Sequence, residues 1–134
     1  MTSKTAPFHF GPIRVYYEDT DMAGIVYYAN YLKYIERARS EWVRDLGVDQ
    51  NELRDAGIVF VVRRVEAEYH RPGHFDDLLD VYTHVETARG ARLIVLQEIK
   101  RGDELLFSAK VTVTCVNASG RVTRLPASIR PHPA

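Results

Sequence analysis

YLKYIERARSEWVRDLG, residues 31–47, places Tyr31, Ile35, Ala38 and Trp42 at intervals of four, three and four, with Tyr34 and Leu46 beside them. That spacing is one stripe of a 3.6-residue period. It predicts an amphipathic helix whose solvated side holds Lys33, Arg37, Ser40, Glu41 and Arg44. Gly47 stands where a left-handed cap ends such a helix. At its start Asn30 is one choice of N-cap, and an opening as early as Tyr28 is the other.

No other part of the chain keeps this period. Downstream, Asp49 to Ala56 reads as one short helical turn stopped at Gly57, and from Ile58 onward the period is two. Val59, Val61, Val65, Ala67 and Tyr69 fall on one face and Arg64, Glu66 and Glu68 on the other, until Pro72-Gly73 turns the chain. Phe60 and Val62 make both faces apolar at the start of that strand. Leu79, Val81 and Val85 mark the next strand, Arg92 to Lys100 another, and Leu105 to Cys115 the clearest alternation of all. Upstream, Ile13, Val15 and Tyr17 alternate with Arg14, Tyr16 and Glu18 as a first strand. Residues 1–10 and 127–134 read as irregular ends of a single domain spanning 1–134.

The order is therefore one strand, one long helix, then strands joined by short turns. Short turns make antiparallel hairpins, and a helix with one apolar stripe must be covered by the sheet they form. This predicts an α+β fold, an antiparallel five- or six-stranded sheet wrapped around one long helix. The doubly apolar strand start, with Ile94 and Leu96 opposite Leu93 and Val95, predicts association through an outer face or edge.

Composition narrows the function. The 134 residues are 46% apolar and balance 18 Lys and Arg against 18 Asp and Glu. Zero net charge supplies no field for nucleic acid or an anionic membrane, so a phosphate-bearing ligand must be met by local arginines. The longest apolar run, Ile58 to Val62, is far short of the ~20 residues of a membrane span. A single cysteine, Cys115, forbids an internal disulfide, and the opening MTSKTAP is no export leader. The expected location is the cytoplasm.

The unusual segment is YYEDTDMAGIVYYANY, residues 16–31, which packs three carboxylates, a glycine and five tyrosines between a strand and the helix start. Acids there suit the helix dipole, and capping is one reading of Glu18, Asp19 and Asp21. A calcium loop fails, because Ala23 stands at the fifth position and Asn30 at the twelfth, where a bidentate Glu belongs. The remaining reading is catalytic: a carboxylate facing free helix-start N–H groups supplies what acyl transfer to water needs, with Gly24 allowing the tight turn.

The string Tyr17-Glu18-Asp19-Thr20-Asp21, Gly24-Ile25-Val26-Tyr27, Tyr31 and Glu36-Arg37-Ala38-Arg39 resembles the hot-dog-fold acyl-CoA thioesterases of the hydroxybenzoyl-CoA thioesterase family. Within that family it is most similar to the bacterial branch associated with the Tol-Pal cell-envelope system. Phe60-Val61-Val62-Arg63, Glu68-Tyr69, Asp76-Asp77, Arg89-Gly90 and Leu125-Pro126 carry the resemblance along nearly the whole chain. It implies Asp21 as the catalytic carboxylate, Tyr17 as the tyrosine four residues before it, and the backbone N–H of Tyr28 as the donor to the thioester oxygen. Tyr28 departs from that branch, which often has a histidine there; the backbone donor is unaffected.

Other residues offer less. Pro72-Gly73 keeps His70 and His74 off one helix, no clustered Cys and His pattern exists, and no metal or organic cofactor is expected. Cys115 reads as an inert core residue, and no G-x-S-x-G elbow is present. Arg89 and Arg92, flanking Gly90, and Arg63 are candidates for CoA phosphate contact, with Gly24 and Val61 as further substrate-binding residues. The reading is hydrolysis of acyl-CoA thioesters by a homodimer or homotetramer whose sites borrow Val59 to Arg63 of a partner chain. An acyl carrier protein or a cell-envelope link are further partners that the resemblance suggests. The rivals are a non-catalytic module binding acyl-CoA or acyl carrier protein, and an enoyl-CoA hydratase on the same scaffold.

Overall fold

The structure, a computed structural model, describes residues 6–129. Strand β1 (Phe8–Arg14) leads through a 3-10 turn at Tyr17–Asp19 and an irregular loop to helix α1 (Asn30–Asp45). A short helix α2 (Gln50–Asp55) follows, then strands β2 (Val59–Tyr69), β3 (Leu78–Arg89), β4 (Arg92–Arg101) and β5 (Glu104–Val116). All pairings are antiparallel, in one five-stranded sheet of order β1-β3-β4-β5-β2. This is the α+β sheet with one long helix that the periodicities predict.

Tyr31, Tyr34, Ile35, Ala38 and Trp42 are buried on α1, as their spacing requires. They meet Val81, Val95, Ile99, Phe107 and Val111 of the sheet. Helix α1 lies mainly over β3, β1 and β4. Beneath it the fully buried Gln97 is satisfied by donating to Ile35 O (2.9 Å) and Thr83 Oγ1 (2.8 Å) and by accepting from the Arg39 guanidinium (3.0 Å). Asp49 caps α2 by accepting from the N–H groups of Asn51 and Glu52.

Three local expectations change. Phe8 to Phe10 are not an irregular end: they pair with Thr83, Tyr82 and Val81. The break in their alternation at Gly11-Pro12, where the register shifts, hid the strand. The first strand ends at Arg14, so Tyr17 lies in the 3-10 turn and not in β1. Asn30 is not the N-cap but the first helical residue, preceded by a turn at Tyr28 and Ala29, and its side chain is spent on Asp19. The tail is in a turn at 127–129; residues 1–5 and 130–134 lie outside the described residues.

The faces of β2 also differ from the simple alternation. The register slips between Val62 and Arg64, so two steps on β2 oppose one on β5. Phe60 and Val62 pair with Cys115 and Val113, and Val65, Ala67 and Tyr69 with Val111, Ala109 and Phe107, which puts all five on the helix side. Val59 and Val61 are thereby carried to the outer side with Arg64 and Glu66. A one-residue slip exchanges faces, and period counting across it cannot see the exchange.

Candidate active site

The loop between Asp19 and Tyr27 is a miniature hairpin. Tyr27 N–H donates to Asp19 O (2.8 Å), Asp21 N–H to Ile25 O (3.0 Å) and Gly24 N–H to Asp21 O (2.9 Å). Gly24 sits at φ +78° with open space around its α-carbon, so the requirement for glycine is the left-handed backbone and not room. The hairpin is docked on the turn after β2: Val26 N–H donates to Gly73 O (2.8 Å), and Ile25 bridges His74. A β-carbon on Gly73 would lie 3.0 Å from Val26 Cγ2, so here glycine serves close approach. Periodicity gave that glycine only a turn; its packing role depends on the distant loop.

Asp21 stands exposed at the hairpin tip. Its Oδ1 accepts from Ala23 N–H (2.9 Å), and among the described residues Oδ2 has no hydrogen-bond partner. Asp19 is engaged at both oxygens, by Tyr16 N–H (2.8 Å) and Asn30 Nδ2 (2.9 Å). The two acids are therefore different groups, one free at an oxygen and one saturated. Tyr17 is 82% exposed, and its carbonyl accepts from the Thr20 N–H and hydroxyl.

At the helix entrance, Asn30 N–H donates to Tyr27 O, while among the described residues the Tyr28 N–H has no partner. The next peptide along is held by the Tyr69 hydroxyl, which donates to Tyr28 O (3.0 Å). Tyr69 meets Tyr28 and Tyr31 edge-on, and Tyr31 stacks on Phe107 at 5.1 Å. Burial pushes the Tyr69 and Tyr31 hydroxyls up from their ordinary value, so both stay protonated donors or acceptors. In the sequence Tyr69 ends an alternation and carries part of the family resemblance, but neither reading placed it against Tyr28.

The remaining candidates are not here. Arg89 pairs with Arg92, Arg92 with Thr114, and Thr114 with Val61, one row across the sheet. Tyr69 and Phe107 belong to another row, eight positions along β2 and roughly 26 Å away at ~3.3 Å per residue. Within one chain, then, Asp21, Tyr17, Gly24 and Tyr28 share one end, and Val61, Arg63, Arg89 and Arg92 the other. Val61 faces the outer side; Val62 is the residue on the helix side. Arg124 joins the arginine end, because Leu125 N–H donates to Gly90 O (2.8 Å), and Arg121 lies nearby in the turn after β5. No ion pair engages Arg63, Arg89, Arg92, Arg121 or Arg124 among the described residues.

A cleft of about 770 Å³ lies at this second end, between the C-terminus of α1, α2 and the start of β2. Ser40, Arg44, Leu53, Ile58 and Phe60 are among its walls. Among the described residues no three His, Cys, Asp or Glu side chains gather as a metal site. His70 contacts Ser108 and His74 contacts Arg101, separately. Cys115 is fully buried, and burial pushes its thiol up, away from nucleophilic use. Among the described residues no helix is long and apolar enough to cross a membrane.

An antiparallel sheet packed on one long helix is the architecture of a known group: the chain belongs to the thioesterase-like superfamily, whose family model matches residues 15–132. Among individual proteins it is 42% identical over 120 residues to the acyl-CoA thioester hydrolase YbgC of Escherichia coli O6:H1, covering 88% of this chain and 90% of that one. It is also 42% identical over 107 residues to the acyl-CoA thioesterase YbgC of Haemophilus influenzae, 79% of each chain. The crystal structure of a probable thioesterase from Bartonella henselae superposes with a TM-score of 0.85 at 39% identity, covering 90% of this chain and all of that one.

Proposed function

We propose that this protein hydrolyses acyl-CoA thioesters to free acid and CoA, with Asp21 and the Tyr28 N–H as its reacting groups. The observation that carries the reading is their pairing at one end of the fold, a carboxylate with a free oxygen and an unpartnered N–H at the helix start. The N–H group polarises the thioester carbonyl and holds the oxyanion as the tetrahedral intermediate forms. Either Asp21 takes the proton of a water that attacks the carbonyl and passes it to the departing CoA thiolate, or it attacks the carbonyl itself, expelling a thiolate that takes a solvent proton, and a water then hydrolyses the acyl-aspartyl anhydride to free acid. Tyr17, exposed four residues before Asp21, borders the same approach. No bound cofactor enters this scheme.

The site is completed by a second chain. Strand β2 is an edge, and Val62, Val65 and Tyr69 on its helix side are each 40 to 48% exposed, because α1 lies over other strands. Pairing β2 antiparallel with its twofold copy places Val59 of one chain opposite Tyr69 of the other. Arg63, Arg89, Arg92 and the large cleft of one subunit then flank Asp21 and Tyr28 of its partner. The arginines supply phosphate contacts for the nucleotide of CoA, and the cleft receives the acyl group. The minimum is a homodimer; a homotetramer is a dimer of these. CoA chemistry and the resemblance to the Tol-Pal-associated branch support a cytoplasmic enzyme serving envelope lipid supply, with acyl carrier protein as a further partner.

A panel of short, long and aromatic acyl-CoAs, with free thiol followed by a colorimetric thiol reagent, tests the reading. Thiol release with turnover upholds it. Binding without thiol release would establish a carrier module, and hydration of an enoyl-CoA without thiol release the hydratase.

A further inference from the structure

We propose that Asp19 is a positioning residue for this hydrolysis: its carboxylate clamps the hairpin carrying Asp21 to the start of α1, where the Tyr28 N–H lies. The proposal rests on the hydrolase reading above. Asp19 joins three segments at once. Its Oδ2 accepts from Tyr16 N–H at the exit of β1, its Oδ1 accepts from Asn30 Nδ2 in the first turn of α1, and its carbonyl accepts from Tyr27 N–H across the hairpin base. The tip that bears Asp21 and the peptide that bears the Tyr28 N–H are thereby referred to one residue, whose carboxylate ties the exit of β1 to the first turn of α1. Asn30 is 8% exposed, so losing this contact would leave a buried amide donor unsatisfied.

The chemistry of the contact suits a clamp and not a charge pair. Both donors to Asp19 are neutral, and no cation lies within ion-pair distance among the described residues. The titratable group facing it from α1 is the Tyr34 hydroxyl, 1% exposed and held protonated by burial and by the Asp19 carboxylate beside it; Arg37 lies over that ring, 6.0 Å from its centroid. A carboxylate accepts at both oxygens, as two donors from two segments require, whereas an amide has one acceptor. Asp21 makes none of these cross-segment contacts, so the two acids divide the labour between chemistry and geometry.

The division is tested by exchanging the partners. Asn30→Asp sets two carboxylates face to face with no donor between them; above the pH at which the pair shares a proton the clamp opens. We expect kcat to fall at least about tenfold at pH 8, with KM within about twofold, because misplacement affects the reacting groups and not remote binding. Activity should recover as pH falls and a shared proton restores the hydrogen bond, a recovery absent from the wild-type profile. The double variant Asp19→Asn with Asn30→Asp re-forms the contact with donor and acceptor exchanged. It should return kcat to within about threefold of wild type at every pH. Asp19→Asn alone is milder, because the Asn30 amide can turn over and present its oxygen.

Hydrogen-exchange protection of the Tyr16 amide reads the clamp without substrate, and should be lost in Asn30→Asp and restored in the double variant. Wild-type kcat in Asn30→Asp at pH 8, or a double variant that is unfolded or no more active than the single one, overturns the proposal. If the wild type releases no thiol from any acyl-CoA, the hydrolase reading falls by itself, and Tyr16 protection alone judges the clamp.

Discussion

Two acids separated by one residue differ because their surroundings differ, and substitution should separate them sharply. Asp21 has an oxygen free to meet water or substrate, so Asp21→Asn should fold as the wild type and lose activity by the ~10²–10⁴-fold typical of a missing general base. Circular dichroism and thiol release check both halves, and more than half of wild-type turnover would remove Asp21 from its role. Asp19→Asn should lose far less. The proposed mechanism uses only the backbone of Tyr28: the residue is 61% exposed, and its ring meets those of Tyr27 and Tyr69. Tyr28→Phe should therefore keep most of the wild-type kcat; a large fall in a folded variant would assign the chemistry to its hydroxyl.

At the scale of elements, the hairpin is only as fixed as the turn on which it docks. Arg101 at the end of β4 ties that turn down, donating to Asp77 Oδ2 (2.6 Å) and to Glu104, while the His74 N–H also donates to Asp77 (2.8 Å). Partial burial raises the Asp77 carboxyl, but the His74 N–H and Arg101 outweigh it and hold the group below the ordinary carboxylate range. A carboxyl depressed by folding stabilises the native state above its unfolded pKa, and the benefit disappears as pH falls through the folded value. Asp77→Asn should cost about 1–2 kcal/mol at pH 7 and progressively less below pH ~4, as chemical denaturation at the two pH values will show. A cost that persists undiminished at pH 2 would mean that packing is responsible. At the opposite end, Arg89→Ala with Arg92→Ala should raise KM more than it lowers kcat, because remote phosphate contacts bind ground and transition states alike. An equal loss on a thioester lacking the nucleotide would exclude phosphate contact. Elements of this kind were readable where one period persists: α1 from Tyr31 to Trp42, and β5 from Leu105 to Cys115. The faces of β2 were not, because one extra residue near Arg63 exchanges them. The separation of Asp21 from Arg89 was invisible because it depends on strand order, a long-range property that no local period encodes.

For the whole molecule, that separation is itself an argument. A single chain holds its proposed reacting groups at one end and the arginines without ion pairs among the described residues, with the 770 Å³ cleft, at the other, so an acyl-CoA that uses both must lie across two chains paired at β2. Val65 is near the middle of that strand, 40% exposed and on the helix side, so antiparallel pairing brings its two copies close to the twofold axis. Val65→Glu should set two charges together there, yielding a monomer by sedimentation and abolishing thiol release; a fully active monomer would refute the shared site. Complementation tests it in assembled dimers. In a heterodimer of one Asp21→Asn chain and one Val62→Glu chain, one site carries both lesions. The other combines an intact Asp21 with an intact strand. Random subunit exchange makes half the dimers mixed, each with one working site in two, so two inactive preparations should recover about a quarter of wild-type activity on mixing. No recovery, once exchange is shown by differently tagged chains co-purifying, would mean that each chain carries a complete site and that the arginine end serves something else.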